Sequence, residues 1–286
     1  MKWKILGIGI CMLLISTPIV SAIKISTQEN TSPLLYNADV PIWEVGDYWT
    51  YTINYKSNLY PDMTLGFTID SEITFEVVDD SGEFYNLEGT IDPSFGAIDF
   101  YLGNLHFKST RSCTIRIDLQ IQKSDLGIYT YISHIEGPMV LSIGPLPLPI
   151  LIPFEAHVEW ECNPIWPMIP FPLSHGDTGI INETRYYGTN GYLKLFWGLI
   201  NQQFDDSSWK VTRDIPYWVK IKQFTVPAGT FDAYDVYLGW PGEYYHNPIY
   251  AVDAGNVIMY DCYVKHDNGN LYFSIDLDLK DFSYSP

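Results

Sequence analysis

Cys113-Thr-Ile-Arg-Ile-Asp-Leu-Gln-Ile121 alternates apolar and polar residues along its whole length. Because successive side chains of a β-strand point to opposite faces, this stretch predicts a strand with one dry face and one wet face. Trp49 to Tyr55 and Leu271 to Lys280 repeat the alternation. Strands of this kind are typical of an antiparallel sheet that covers a core on one side, so we expect an all-β fold.

Short polar segments separate the alternating stretches. Asp267-Asn-Gly-Asn270 is a hairpin signal, because Asn-Gly tolerates the positive φ angles of a tight turn. Asp79-Asp-Ser-Gly82, Asn190-Gly191 and Asp253-Ala-Gly-Asn256 are predicted to be turns between other strands. The pattern over Tyr192 to Gln203 is ambiguous, and a short helix there stays open.

The segment 138–172 interrupts this rhythm with prolines. It contains Gly144-Pro-Leu-Pro-Leu-Pro-Ile-Leu-Ile-Pro-Phe154 and Pro164-Ile-Trp-Pro-Met-Ile-Pro-Phe-Pro172. Proline has no N–H for a ladder hydrogen bond, so we expect that this insert is not a central strand. It is also too apolar to be left in solvent. Two placements stay open: a plug that fills the open side of a curved sheet, or an apolar lid that faces a ligand, a membrane or a partner.

The first residues of the chain have the pattern of an export leader. Lys2 and Lys4 precede a long apolar run, and Val20-Ser-Ala22 supplies the small residues of a cleavage site. We predict a signal peptide over residues 1–22, a flexible lead-in over 23–40 and a single β domain over 41–286. A retained N-terminal membrane anchor is the alternative, because the apolar run is long for a signal peptide. Both alternatives place the domain outside the cytoplasm, secreted or at the cell surface.

Composition excludes some functions. The formal net charge is −18 at pH 7, and such a surface repels nucleic acid and anionic lipid head groups. Hydrophobic residues make up 47% of the chain and aromatic residues 16%, which is enough for a large core and excludes disorder for most of its length.

Three cysteines follow the leader: Cys113, Cys162 and Cys262. An odd number allows one disulfide and one free thiol, and the sequence leaves the pairing open. Cys113 lies on the apolar side of its predicted strand, so we expect a buried, inert thiol there.

Phe154-Glu-Ala-His-Val-Glu-Trp-Glu-Cys162 is the best metal candidate in the sequence. In a strand, Glu155, His157, Glu159 and Glu161 share one face, and carboxylates with imidazole can bind a divalent ion. Residues two apart in a strand are separated by roughly 7 Å, which is too far for convenient ligation of one ion. We therefore expect a solvated strand face, and we predict no metal and no cofactor.

Ser174-His-Gly-Asp177 brings a hydroxyl, an imidazole and a carboxylate into one loop. Nucleophilic catalysis needs these groups to converge beside an oxyanion site, and neighbours in a turn rarely do so. The chain also has no Gly-x-Ser-x-Gly nucleophile elbow. We therefore predict no catalytic residues and no enzymatic activity.

Two sequons for N-glycosylation are present. Asn30-Thr-Ser32 and Asn182-Glu-Thr184 both fit the acceptor rule. Asn30 and Asn182 are therefore candidates in an organism that glycosylates exported proteins.

Three motifs carry a resemblance to a known group: Trp43-Glu-Val-Gly-Asp-Tyr-Trp-Thr-Tyr51, Val226-Pro-Ala-Gly-Thr-Phe-Asp-Ala-Tyr234 and Asp253-Ala-Gly-Asn-Val-Ile258. The pattern resembles uncharacterised exported β domains of archaea and bacteria, which are similar in outline to the lipoprotein carriers LolA and LolB. The resemblance implies a strongly curved antiparallel sheet, a half-barrel. The proline-rich insert is not part of the common pattern, and we expect it to pack over the open side of the sheet because it is so apolar. The motifs themselves read as turns that feed strands, so we expect structural roles for them.

The excess of aromatic and apolar residues, together with the unusual insert, leads to a functional hypothesis. We expect an exported, non-enzymatic binding module for an apolar, lipid-like ligand in the concavity of the sheet. The alternative is a cell-surface structural or adhesion domain with a filled core and an exposed apolar patch. A contact with a membrane surface or an envelope protein fits these hypotheses, and binding of nucleic acid does not. The residues expected to line the ligand site are Trp49, Tyr51, Leu148, Ile150, Phe154, Trp166 and Phe171.

Overall fold

The computed structural model describes residues 37–60, 65–80, 82–91, 97–102, 105–143, 150–166, 169–240, 244–265 and 271–284. The predicted signal peptide and most of the lead-in lie outside these ranges. The described residues form strands joined by turns, with no α-helix among them. The strands are β1 Tyr48–Tyr60, β2 Leu65–Asp79, β3 Phe84–Ile91, β4 Ile98–Leu102, β5 Leu105–Ser109, β6 Thr114–Gln122, β7 Ile128–Ile143, β8 Ile150–Trp166, β9 Thr178–Leu195, β10 Ile200–Val226, β11 Gly229–Trp240, β12 Tyr244–Ala251, β13 Asn256–Lys265 and β14 Leu271–Ser283.

All of these strands belong to one antiparallel sheet, which confirms the predicted all-β fold. Its hydrogen-bonded order is β1-β14-β13-β12-β11-β10-β9-β8-β7-β5-β4-β2-β3-β6. β1 also pairs with β2, and β6 also pairs with β7. The strands therefore form a partial ring, and their inward side chains make one continuous core.

The sheet branches at β2 and at β7. Residues 65–69 of β2 pair with β4, and residues 73–79 pair with β3. Residues 128–136 of β7 pair with β6, and residues 139–143 pair with β5. The strand pairs β3–β6 and β4–β5 therefore lie side by side, and each of them connects β2 to β7.

Gly137 lies at the branch of β7, between the residues that pair with β6 and those that pair with β5. Its φ angle is 137°, in the region that favours glycine. A Cβ atom at this position would lie 2.7 Å from the Cα of Cys113 and 2.7 Å from the carbonyl oxygen of Ser112. The close backbone approach therefore requires a residue without a side chain.

Burial follows the predicted alternation. In β1, Trp49, Tyr51, Ile53 and Tyr55 are all buried, and the residues between them are partly exposed. In β14 the same alternation buries Ile275, Leu277 and Leu279. In and just before β6, Cys113, Ile115, Ile117 and Ile121 are buried and Leu119 is partly buried. Each large apolar side chain that is fully buried contributes about 1.5–3 kcal/mol to folding, so these rows stabilise the sheet.

The proline-rich insert is where the sequence prediction was wrong in part. Its residues 138–143 and 150–166 belong to β7 and β8, which are adjacent strands inside the sheet. Pro138 lies directly opposite Pro153. Thr110 Oγ1 donates a hydrogen bond of 2.8 Å to the Pro138 carbonyl oxygen, so this residue faces the gap between β6 and β5.

The two prolines are tolerated because the neighbouring ladders stop beside them. In an antiparallel strand the N–H and C=O of one residue point to the same side. Pro138 therefore faces the branch, where no ladder donor is needed, and Pro153 faces away from β7. On that side the ladder of β8 with β9 ends at Phe154. Neither proline removes a hydrogen bond that the sheet would otherwise make.

The end of the insert packs on the core, as the plug alternative predicts. Ile169 and Leu173 are buried, and the ring of Phe171 meets the ring of Tyr250 edge-on at 5.1 Å. Leu173 and Ala38 exchange two backbone hydrogen bonds of 2.8 Å. Residues 37–40, which we assigned to the flexible lead-in, are therefore attached to the domain.

The turn predictions divide into three outcomes. Asp79–Gly82 and Asp253–Asn256 do separate consecutive strands, as expected. Asn190-Gly191 was wrongly predicted as a turn, because both residues lie inside β9 and pair with β10. Within 192–203, β9 continues to Leu195, and a 3-10 helix of three residues, Phe196–Gly198, leads into β10; no α-helix forms there. The Asp267–Asn270 signal lies outside the described residues.

Candidate ligand-binding cavity

An internal cavity of about 100 Å³ lies against the branched part of the sheet. Its walls come from β1, β2, β3, β4, β6, β7 and β13, and eleven of the 22 lining residues that the structure describes are isoleucines. Isoleucine is branched at Cβ, which restricts its χ1 angle, so these walls are stiff. Ile169, from the end of the proline-rich insert, completes the lining.

Most polar side chains in the wall already form hydrogen bonds with other groups of the protein. The Tyr51 hydroxyl donates to the Val257 carbonyl oxygen at 2.8 Å. The Tyr260 hydroxyl shares a hydrogen bond of 2.6 Å with Nδ1 of His246. None of the lining residues that the structure describes is Asp, Glu, Lys, Arg or His. The cavity is therefore apolar and carries no fixed charge in its wall.

Ser133 differs from the polar groups just described. It lies on β7 between Tyr131 and Ile135, and all three side chains are buried. Its Oγ atom makes no hydrogen bond within the described part of the chain. A buried hydroxyl without a hydrogen-bonding partner costs about 1–3 kcal/mol, so the Ser133 hydroxyl is an unfavourable group in the cavity wall.

Three aromatic side chains fasten the start of the domain to the turn between β12 and β13. Trp43 Nε1 donates to the Gly255 carbonyl oxygen at 2.8 Å, and Trp49 Nε1 donates to the Ala254 carbonyl oxygen at 2.7 Å. The Tyr51 hydroxyl binds in the same way to the next strand. We call these three side chains the aromatic pins. They join two of the motifs that carry the resemblance, Trp43–Tyr51 and Asp253–Ile258, and this role is structural.

The turn that receives the aromatic pins is itself tightly packed. Gly255 has a φ angle of 59°, and a Cβ atom there would lie 2.4 Å from a ring carbon of Tyr284. The rings of Trp43 and Trp49 lie 4.9 Å apart, and the ring of Trp49 lies 6.3 Å from that of Tyr284. Because Trp43 and Val257 also line the cavity, this packing holds one of its walls in place.

No family model, no curated protein and no solved structure matches this chain. The resemblance to exported β domains and to LolA and LolB therefore stays a prediction, and the function has to be inferred from the chain's own geometry.

The seven residues expected to line a ligand site are dispersed. Tyr51 lines the cavity, whereas Trp49 is buried beside it among the aromatic pins. Phe154 is buried in β8, and Phe171 packs on Tyr250. The remaining three are Ile150, which is 46% exposed, Leu148, which lies outside the described residues, and Trp166, whose side chain is also outside them.

Sequence reasoning missed most of the actual lining. The isoleucines that form it lie on strands far apart in the chain, so no local pattern brings them together. One signal was present: in Tyr131-Ile-Ser133-His-Ile135 the alternation places Ser133 on the dry face. A serine between two apolar inward positions marks the wall of the cavity.

The outer face of β8 carries the residues that we weighed as a metal site. Ala156 and Val158 are buried, and Glu155 and His157 lie on the opposite face, as predicted. The Glu155 carboxylate accepts hydrogen bonds from Lys194 Nζ at 2.8 Å and from the Tyr192 hydroxyl at 2.6 Å. These bonds lower the pKa of Glu155, and the hydrogen bond that the Tyr192 hydroxyl donates to this carboxylate is the main reason that the pKa of Tyr192 rises to about 12.

The other members of that face are also paired with neighbours rather than with each other. Asn190 donates to Glu159 at 3.0 Å, and the Tyr129 hydroxyl donates to Glu161 at 3.1 Å. His157 stacks on the ring of Tyr192 at 5.5 Å. In the part of the chain that the structure describes, no group of three or more His, Cys, Asp or Glu residues is arranged to hold a metal ion.

The loop Ser174–Asp177 is a hydrogen-bonded turn. The Asp177 carboxylate accepts from the Ser174 backbone N–H at 2.9 Å, and the Ser174 hydroxyl donates to Oδ1 of Asn37 at 2.6 Å. Nδ1 of His175 accepts from the backbone N–H of Ile221 at 3.1 Å. Each group has a different hydrogen-bonding partner, and the serine hydroxyl is not directed at the imidazole.

Cys113 and Cys262 are buried, free thiols. Burial raises the pKa of Cys113 to about 11 and raises the pKa of Cys262 well above its ordinary value. The predicted burial of the Cys113 thiol is confirmed. The side chain of Cys162 lies outside the described residues. So do Asn30 and the side chain of Asn182, whose backbone belongs to β9, and both stay glycosylation candidates.

The hairpin between β9 and β10 ends in an exposed apolar tip. Trp197 is 81% exposed and Leu199 is 87% exposed. Beside this tip, at the start of β8, Ile150 and Leu151 are 46% and 59% exposed. We call these four residues the tip patch. No helix among the described residues is both long enough and apolar enough to cross a membrane.

Proposed function

We propose that this protein is an exported, non-enzymatic module that binds a small apolar molecule in the internal cavity. The observation that carries the proposal is the cavity itself. Its volume is about 100 Å³, half of its described lining residues are isoleucines, and none of them is Asp, Glu, Lys, Arg or His. An apolar cavity of roughly 150 Å³ engineered in another protein stays dry and binds benzene. A cavity of this character favours an apolar guest over water.

The size of the cavity limits the ligand. Sites for drug-sized molecules occupy roughly 300–1,000 Å³, several times the space found here. A short hydrocarbon, or the end of an acyl chain, is the class of ligand that this size supports. Export is part of the proposal because the first 22 residues have the pattern of a leader.

The absence of enzymatic activity in this proposal rests on the arrangement of the candidate groups. Ser174, His175 and Asp177 each bind a different partner, so they do not form a nucleophile with its base. The buried thiols of Cys113 and Cys262 have raised pKa values and are poor nucleophiles.

A cavity-filling substitution tests the proposal. Ile117 lines the cavity on β6, and Ile117→Phe places a larger side chain in it. We expect n-pentane to raise the melting temperature of the unmodified protein and to leave that of Ile117→Phe unchanged, because a ligand stabilises only a fold that binds it. Ile180 is 61% exposed, so Ile180→Phe is the matched control and keeps the response. The proposal fails if pentane does not stabilise the unmodified protein, or stabilises the three proteins equally.

The tip patch favours a second candidate function, attachment to a neutral membrane surface. Tryptophan is enriched where apolar and aqueous phases meet, and Trp197 projects from the end of a hairpin. The net charge of −18 disfavours anionic membranes. We expect co-sedimentation with phosphatidylcholine vesicles that is lost in the double variant Trp197→Ser, Leu199→Ser and retained in Ile117→Phe. Equal vesicle binding by the double variant would remove this candidate.

A further inference from the structure

We propose that the ligand of the cavity is a neutral amphiphile, with a short hydrocarbon body and one oxygen-containing group that hydrogen-bonds to Ser133. This inference rests on the proposed function and specifies the chemical class of the ligand. It begins from a polar atom in the cavity wall, Oγ of Ser133, for which the described residues supply no hydrogen-bonding partner.

Ser133 is placed to meet a guest. It is 1% exposed to solvent and lines the cavity from β7. Its cross-strand neighbours are Ile117 on β6 and Val158 on β8, and neither side chain can accept or donate a hydrogen bond. Within the described chain its Oγ atom has no hydrogen-bonding partner. A ligand in the cavity could therefore supply the hydrogen-bonding partner that Ser133 lacks.

A second buried serine, Ser109, differs from Ser133 in this respect. Ser109 is equally buried, at 1% exposure, but its Oγ accepts a hydrogen bond of 2.9 Å from the backbone N–H of Ile98. The hydroxyl of Ser109 has a structural task in the fold. The hydroxyl of Ser133 has none in the described structure, although leaving it buried costs free energy.

The wall also determines the charge of the ligand. Its lining contains no Lys, Arg or His among the described residues, so a carboxylate or phosphate would be buried without a counter-charge. The same surroundings disfavour a charged phenolate, since burial raises the pKa of Tyr51. A neutral hydroxyl or carbonyl group avoids this cost and still satisfies Ser133, which can donate or accept.

Three probes of one chain length separate these possibilities: n-pentane, 1-pentanol and pentanoate at pH 7. Their dissociation constants are measured by calorimetric titration on the intact domain, on Ser133→Ala and on the control Ser109→Ala. The informative quantity is the ratio of the pentanol affinity to the pentane affinity, because it cancels the common contribution of the hydrocarbon. We expect this ratio to fall about tenfold in Ser133→Ala, the effect of one lost buried hydrogen bond, and to be unchanged in Ser109→Ala.

The outcomes distinguish this inference from the proposed function. If pentane fails to bind the unmodified protein, the proposed function is overturned and this inference with it. If pentane binds but the ratio is the same in Ser133→Ala, only the role of Ser133 is overturned. If pentanoate binds as tightly as pentanol, the restriction to neutral ligands is overturned. Ser133→Ala removes an unsatisfied group from the core, so we expect it to fold.

Discussion

Replacing Gly137 by alanine tests whether the branch of the sheet depends on close backbone contact. The new Cβ would lie 2.7 Å from the Cα of Cys113, and the φ angle of 137° is unfavourable for any residue with a side chain. Strain at such an angle costs about 1–3 kcal/mol, and forced overpacking costs about 1–3 kcal/mol more, so the total loss is about 2–6 kcal/mol. For a domain of this size the melting temperature would fall by roughly 4–24 °C.

The matched control is Gly46→Ala. Gly46 also has a positive φ angle, 98°, but nothing lies within 4 Å of its Cβ position. Gly46→Ala therefore introduces the backbone strain without the steric contact. Thermal unfolding followed by circular dichroism should show a clearly smaller fall in melting temperature than for Gly137→Ala. If both variants lose the same stability, the contact at the branch contributes nothing and our account of Gly137 is wrong.

Thiol labelling gives a second observation on the same variant. The contact that Gly137→Ala would disrupt includes the backbone of Cys113, whose thiol is buried. If the variant opens the branch, Cys113 should react with a thiol reagent faster than in the unmodified protein, and Cys262 on β13 should keep its slow rate. An unchanged rate at Cys113 would indicate that the strain is absorbed elsewhere.

Three further predictions follow from the hydrogen bonds and pKa shifts. Trp43→Phe keeps an aromatic side chain but loses the hydrogen bond to the Gly255 carbonyl oxygen. Chemical denaturation should show that the free energy of unfolding falls by about 1–3 kcal/mol, because the carbonyl stays buried. The pKa of Glu155 is lowered in the folded state, so Glu155 stabilises the fold above its ordinary value of 4.5 and loses this effect as the pH falls through its folded-state pKa. The stability difference between the unmodified protein and Glu155→Gln, about 1 kcal/mol or less for a partly exposed ion pair, should therefore shrink in acid, and a constant difference would contradict this. Burial raises the pKa of Tyr51 above its ordinary value of 10.0, so unfolding above that pH should coincide with phenolate absorbance, and Tyr51→Phe should unfold at higher pH.

The sequence was most informative where structure depends on near neighbours. The alternation in Trp49–Tyr55 and Cys113–Ile121 predicted correctly which side chains are buried, because a period of two is a property of the strand itself. The turn before β1 was predicted for the same reason: Gly46 has a positive φ angle, and the Asp47 carboxylate accepts from the Glu44 backbone N–H at 2.8 Å.

The sequence was misleading where the outcome depends on distant strands. Pro138 and Pro153 were expected to exclude a central strand, but the cost of a proline depends on whether a neighbouring ladder reaches it. The two ladders end next to them, and this follows from the branch and from the length of β9, which local patterns do not contain. Asn190-Gly191 likewise permits a turn without requiring one.

The candidate site was predictable only in part, for a related reason. Tyr51 was identified from its strand alone, and the dry-face position of Ser133 was visible in the alternation. That the Ser133 hydroxyl has no partner depends on Ile117 and Val158, which lie across two different ladders. The cavity is a property of the whole sheet, and its lining cannot be read from any one segment.

The pairing of β1 with β14 has a consequence for biogenesis. Tyr48, the first residue of β1, lies opposite Ser283, the last residue of β14. One edge of β1 can therefore form its hydrogen bonds only after β14 has been synthesised. Until β14 has been made, the chain would therefore expose an unsatisfied strand edge that is prone to aggregation. Once folded, the same pairing brings the two ends of the domain together, which makes it a natural candidate for circular permutation or for insertion into a host protein.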